Sequence, residues 1–176
     1  IQEMNANFAA QTQRIELANR AYLEYLPDIV IPSRHSRFHT QTEVSIAPTA
    51  TLLYSEVLMP GRKHKNGEVF QYDVFSSLVR AERPDGSELF VEKLVIEPWK
   101  SDLRQLGVMQ GFDVLGNVLL LTDRSSTDRI LGRVPAACSA GGEWAASAGR
   151  LPHDAGVVYR VLGPESHVVL GKVYEF

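Results

Sequence analysis

Apolar residues recur along this chain in short runs broken by turn residues, at a period of two rather than 3.6, the spacing of strands with one buried face. From Arg37 to Ile46, one set of alternate positions carries Phe38, Thr40, Thr42, Val44 and Ile46, and the other carries His39, Gln41, Glu43 and Ser45. That predicts a strand with one face buried and one face wet. The next run, Thr51 to Met59, sets Leu53, Val57 and Met59 opposite Leu52, Tyr54 and Leu58, which predicts a strand covered on both sides. Asn66-Gly67 and Asp85-Gly86 supply tight-turn chemistry on either side of a third run, Glu68 to Val79, and the second turn leads into a fourth, Glu88 to Ile96. In succession the four runs predict a meander. Pro48 and Pro98 stand at strand ends, where a missing amide proton costs least.

After about residue 100 the texture changes. Gly111 to Thr122 reads as a buried strand. Ser125-Ser126-Thr127-Asp128 offers N-caps for a short helix running to Gly132 and stopped by Pro135. Ala136 to Gly149 is rich in Ala, Ser and Gly, which suits either close backbone packing or a loop. Val157 to Leu162 is a further strand. Gly163-Pro164-Glu165 opens a last helix with Val168, Val169, Lys172, Val173 and Phe176 at helical spacing. The sequence has no internal repeat.

Composition changes this picture only by exclusion. The 176 residues, 44% hydrophobic and 22% charged, are enough for one domain with its own core and unlike a disordered tail or coiled coil. A net charge of −3 gives no general attraction to nucleic acid or anionic lipid. No apolar run reaches the roughly 18 residues of a membrane span. The lone Cys138 has no partner for an internal disulfide, which favours a reducing compartment, the cytoplasm. The chain opens on Ile1 without a methionine, which suggests a segment of something longer or a processed product.

Catalytic motifs are few. The nucleophile elbow G-x-S-x-G does not occur, and Cys138 has no neighbouring cation to activate it. Gly61 to Glu68 has one residue too many between its glycines for a phosphate loop, and Glu68 where the lysine would stand. Arg62, Lys63 and Lys65 still form a cationic loop, suited to an acidic partner surface or simply a solvated turn. Of five histidines, His35, His39 and His64 are the candidates for contact with a transition metal, although none shows metalloenzyme spacing. His35 and His39 share a strand face but lie about 13 Å apart.

Glu56 is the most informative carboxylate, because it alternates with Leu52, Tyr54 and Leu58 and an ionised group there is costly unless paired or hydrated. Arg62 is the nearest cation in sequence and is expected to pair with it; the alternative is a polar group lining an internal water-filled passage. Glu68, Asp73 and Asp113 are candidates for the same kind of surface.

Tyr22-Leu23-Glu24-Tyr25-Leu26-Pro27-Asp28, Ile31-Pro32, Ser55-Glu56-Val57-Leu58-Met59-Pro60-Gly61-Arg62 and Gly67-Glu68-Val69-Phe70 together resemble the UreD (UreH) family of urease accessory proteins, most strongly over residues 20 to 97. Leu151 to Gly156 and Tyr159 to Gly163 fit a subset of that family. The resemblance implies a mainly β fold of stacked sheets, β-solenoid-like or sandwich-like, with short helices toward the C-terminus. It implies a single domain over 1–176 that forms the central and C-terminal part of a longer chain, lacking the family's N-terminal strands and the end of its helical region. It further implies a non-enzymatic chaperone that binds apo-urease and, with UreF-type and UreG-type partners, assists nickel insertion through an internal tunnel. By that analogy Glu56, Glu68 and Asp73 are tunnel or interface groups and Arg62 their partner, with no tightly bound cofactor and only transient Ni²⁺ contacts. Two rivals remain. One is a ligand-binding β-sandwich, which would need exposed aromatic platforms, whereas Trp99 and Trp144 lie outside the predicted strands; the other is an enzyme pairing Glu56 with a second carboxylate.

Overall fold

The computed structural model describes residues 7–65, 67–134, 137–138 and 142–176, with the side chains of Ala137 and Cys138 excepted. Asn66 of the first expected turn, Pro135, Ala136 and the Cys138 thiol therefore lie outside the described residues. Strands dominate, in two sheets.

The first half of the chain coils. Strand β1 (Ala9–Leu17) is followed by β2 (Tyr22–Tyr25), β3 (Arg37–Ile46), β4 (Thr51–Leu58) and β5 (Val74–Glu82), and successive strands fall alternately in one sheet and the other. Within the sheets, β1, β3 and β5 are parallel neighbours, and so are β2 and β4. The corners stack as well as the strands: the Ala47 amide donates to Leu17 O at 2.9 Å, the Thr51 amide to Ala21 O at 2.9 Å, and the Arg20 amide to the Thr49 hydroxyl at 3.0 Å. Buried Ala47 and Ala50 keep the second corner narrow enough for this. The expected meander is thus corrected to a solenoid-like coil. Alternation in a strand fixes which face is buried, whereas the partner is chosen by the corner, and corners of this length turn the chain into the opposite sheet.

The second half closes the two sheets with antiparallel strands. Asp85-Gly86 turns β5 into β6 (Glu88–Ile96), completing a sheet in the order β1-β3-β5-β6. Strand β7 (Val114–Leu121) runs antiparallel to β4, and β10 (Gly156–Gly163) to β7. The small-residue stretch supplies β8 (Ala137–Cys138) and β9 (Ala145–Arg150), which pair onward from β10. The third expected strand begins late, at Val74, because Glu68 turns back toward Arg62 and the Phe70 amide donates to Pro60 O at 2.7 Å.

Helix α1 (Arg124–Leu131) is capped two residues earlier than expected: Asp123, two residues past the end of β7, accepts from the Ser126 amide at 3.0 Å. Helix α2 (Ser166–Glu175) packs Val169 and Val173 on the outer face of the larger sheet, against Val57, Val114, Val118 and Val161. Gly116 makes room for it. A Cβ there would stand 2.7 Å from Val169 Cγ1 and 2.8 Å from Val161 Cγ1.

Gly116→Val is therefore expected to lift α2 from the sheet and cost about 1–3 kcal/mol of stability, the usual range for overpacking. Urea unfolding of the two proteins measures it; an unchanged midpoint would show that the helix does not depend on this notch.

Candidate functional site

Between the sheets the core is not continuous. One apolar cluster contains Val44, Ile46, Leu52, Tyr54, Val79, Phe90 and Leu119, and another, at the opposite end, contains Leu58, Phe75, Ile96 and, partly buried, Phe38, Leu94, Leu115 and Leu162. Each strand passing from one cluster to the other places a polar side chain at the inward position between them. These are Gln13 on β1, Thr40 and Thr42 on β3, Glu56 on β4, Ser77 on β5, Glu92 on β6, Asn117 on β7 and Arg160 on β10. Register aligns them into rows. Glu56 is paired with Asn117 and Asn117 with Arg160 across the larger sheet, while Gln13 stands beside Thr42 and Thr40 beside Ser77 in the other. A polar layer crosses the sandwich.

Hydrogen bonds run along this layer. At its β1–β2 end the Tyr25 hydroxyl donates to Gln13 Oε1 at 2.9 Å, and Gln13 Nε2 donates to Thr42 Oγ1 at 2.9 Å. Thr42 and the Tyr54 hydroxyl lie 3.4 Å apart. At the other end Asn117 Nδ2 donates to Glu92 Oε1 at 3.3 Å, and the Arg160 guanidinium donates to the same oxygen. Cavities flank the middle. One of about 110 Å³ is lined by Gln13, Tyr25, Asp28, Thr40, Tyr54 and Glu56. The other, of about 530 Å³, opens under the 97–113 connection and is lined by Glu92, Leu103, Met109, Asn117 and Arg160 among others. Glu56 and Asn117, neighbours in register, stand on opposite sides of the divide.

Glu56 is 8% exposed, and burial pushes its carboxyl above the ordinary glutamate value; nearby Ser77 and Thr40 hydroxyls pull it down, and the Glu92 charge pushes it further up. The Tyr54 hydroxyl is pushed up to about 12 by burial and by the Glu56 charge. Asn117 Oδ1, buried in the layer, has no hydrogen-bond partner among the described residues. Such groups are costly to bury unsolvated, so the layer is built to meet something polar.

The structure separates the other expected site residues from Glu56. Arg62 does not reach it; the guanidinium forms a two-pronged pair with Glu68 instead, at 2.8 and 2.6 Å, inside the turned-back loop. The expected Glu56–Arg62 pair is thus replaced by a loop clasp, because Gly61, at φ 134°, turns Arg62 toward Glu68 and away from the strand. Arg62 holds the Glu68 carboxyl below the ordinary value. Asp73 is bound by Arg37 Nε at 3.0 Å and lies 3.3 Å from His35 Nδ1. His39 is on β3, edge-on to Phe8, and His64 is 3.1 Å from Glu165 at the start of α2. Lys63 joins Glu165 at 2.7 Å to Asp113 at 2.8 Å. The three histidines do not converge, and among the described residues no group of three or more His, Cys, Asp and Glu side chains could hold a metal ion.

Sequence reasoning found Glu56 and missed Glu92, Asn117 and Arg160. Their signal was one polar residue in an apolar alternation, as in Phe90-x-Glu92-x-Leu94, Leu115-x-Asn117-x-Leu119 and Val158-x-Arg160-x-Leu162.

A family model described as UreD urease accessory protein matches residues 1–171. A Urease accessory protein UreD 2 from Brucella suis is 50% identical over 181 aligned residues, covering 99% of this chain and 59% of the relative. A Urease accessory protein UreD from Yersinia pseudotuberculosis is 51% identical over 174, covering 98% of this chain and 54% of the relative. The chain spans a little over half the length of these curated relatives.

The two buried glutamates are expected to titrate on opposite sides of the ordinary value, as ¹³C-detected carboxyl NMR would show. With its folded value raised, Glu56 supports stability fully at low pH and loses that support as pH rises through the raised value. With its folded value lowered, Glu68 supports stability at neutral pH and loses that support as pH falls through the lowered value. Glu56→Gln accordingly makes the protein more resistant to urea at pH 7 than at pH 4, relative to the parent; an equal effect at both would contradict the assignment.

Proposed function

The chain belongs to the UreD family of urease accessory proteins, and on that premise we propose that it acts in urease maturation as a non-catalytic scaffold whose polar layer is a route for nickel. The observation that carries this reading is the layer itself: polar side chains at the boundary between two apolar clusters, with cavities on both sides of Glu56 and Asn117. A structural ion pair would need one partner. Hydroxyl, amide and carboxylate oxygens spread over both sheets instead offer successive weak contacts to a hydrated cation.

Oxygen donors without thiolate, and without converging imidazoles, hold Ni²⁺ loosely, as a carrier that must release its cargo requires. Nickel is here the cargo. The same reading places apo-urease and UreF-type and UreG-type proteins as partners, in the cytoplasm. The clasped loop fits a docking element: Arg62–Glu68 sets its shape, Lys63 and His64 tie it to the start of α2, and Lys65 is left exposed beside them. Among the described residues no helix is long and apolar enough to cross a membrane.

The test is the nickel content and activity of urease in a host carrying the urease operon, with the full-length parent gene present, deleted or carrying Glu56→Gln. Deletion is expected to leave urease synthesised but poor in nickel. Glu56→Gln is expected to restore nickel several-fold less well than the parent while still copurifying with urease and the accessory proteins. Fully metallated urease in the deletion strain would sink the maturation reading, and turnover of any substrate by the isolated protein that Glu56→Gln abolishes would replace it with an enzyme.

A further inference from the structure

We propose that β6 is a docking edge for an extended segment of a partner protein, which joins the smaller sheet as an added strand with an acidic residue opposite Lys93 and apolar β-branched residues opposite Val91 and Val95. The inference concerns protein contact only and stands whether or not the polar layer carries nickel.

The smaller sheet ends at β6, whose single neighbour is β5. Hydrogen bonds at both ends of this pair fix which way the β6 backbone points. The Val74 amide donates to Ser36 O at 3.3 Å, toward β3, so by alternation Phe75, Ser77, Val79 and Ala81 turn their backbone groups to β6, where Ile96, Leu94, Glu92 and Phe90 meet them. Val91, Lys93 and Val95 therefore aim theirs away from β5. At the hairpin end Leu89 O points the same way and is occupied, 2.7 Å from His153 Nδ1. Past it, the backbone groups of Val91, Lys93 and Val95 have no partner among the described residues. A straight row of free donors and acceptors is a template for another strand.

There is room beside that edge. The cleft of about 530 Å³ runs along β6 from Glu92 to Glu97 and is lined by Leu94, Ile96, Leu103, Met109, Leu115 and Leu162 among others. At strand rise this stretch is roughly 17 Å long, the reach of a short extended segment. An added strand would send alternate side chains into the cleft and the rest onto the outer face.

The outer face names the occupant. Val91 and Val95 are 44% and 47% exposed. Lys93 stands between them, exposed and beside Leu78 of β5, with no ion-pair partner among the described residues. Arg80, opposite Val91, already has Glu88 at 3.7 Å. An unpaired cation flanked by valines is complemented by a carboxylate on the facing strand, with apolar residues on either side to cover the valines. The same lysine argues against a second copy: antiparallel pairing of β6 with itself along the whole edge would set two copies of Lys93 opposite one another.

The test is amide hydrogen exchange, read by NMR on the full-length protein, with and without a synthetic peptide carrying Val-Leu-Glu-Leu-Val between serine-rich ends. In the free protein the Val91, Lys93 and Val95 amides are expected to exchange freely while those of Glu92 and Leu94, turned to β5, are protected. Peptide at about ten times its dissociation constant should slow the first set about tenfold and leave the second unchanged. Replacing the peptide glutamate by lysine should weaken binding about fivefold, and Lys93→Glu should restore it for that peptide. Val91→Pro, which removes one edge amide and leaves β5 its bonds, should lose binding of both peptides. Should that variant not fold, exchange in the parent and the charge swap decide. Equal binding of the two peptides overturns the proposal, as does an edge that the peptide leaves unprotected. Edge amides already protected in the free protein overturn it too, in favour of the protein's own chain if the protection is independent of concentration and of a second copy if it grows with concentration.

Discussion

A polar group buried between two stacked sheets has little water to turn to, so it must find its partner in the opposite sheet or in a neighbouring row. This constraint shapes the middle of the molecule. Glu92 on one sheet is met by Asn117 and Arg160 on the other, Tyr25 on one by Gln13 on the other. Because each inter-sheet bond needs its two strands at a set height, the polar layer fixes the stagger of the sheets in a way that interchangeable apolar contacts on either side would not.

The coil of the first five strands makes such a layer possible. Parallel stacking repeats the same height on β1, β3 and β5, so that Gln11, Thr40 and Ser77 fall into one row without any turn having to adjust the register. The antiparallel strands that follow inherit those heights through their pairing with β4 and β5. Outside, α2 covers the larger sheet, and its first turn is held through Glu165 by Lys63 and His64, so the loop after β4 and the last helix form one connected surface.

Much of this was legible in the sequence. The alternation of Phe38 to Ile46 and the two-sided burial of Leu52 to Met59 were correct because each follows from local periodicity. The last helix, read from Val168, Val169, Lys172, Val173 and Phe176 at helical spacing, was correct for the same reason, and of these Val169 and Val173 are the buried ones. Pairing was not legible: nothing in the alternation says that β3 neighbours β1 and β5 rather than β4, because that depends on the direction of a corner. For the same reason the buried Glu56 could be recognised from its apolar flanks, while the choice of Arg62 as its partner, made on sequence proximity, failed. Glu92 and Arg160 are 68 positions apart and meet only once the two sheets are closed over one another.

Gly116 and Asn117 are consecutive residues on β7, one facing α2 and the other facing the interior. A single peptide unit therefore separates the surface on which the last helix rests from the polar row at the centre. With no side chain at Gly116, the last helix rests directly on the backbone of the strand that carries Asn117, so a substitution that fills this notch presses on the same strand that holds the Asn117–Glu92 bond in register.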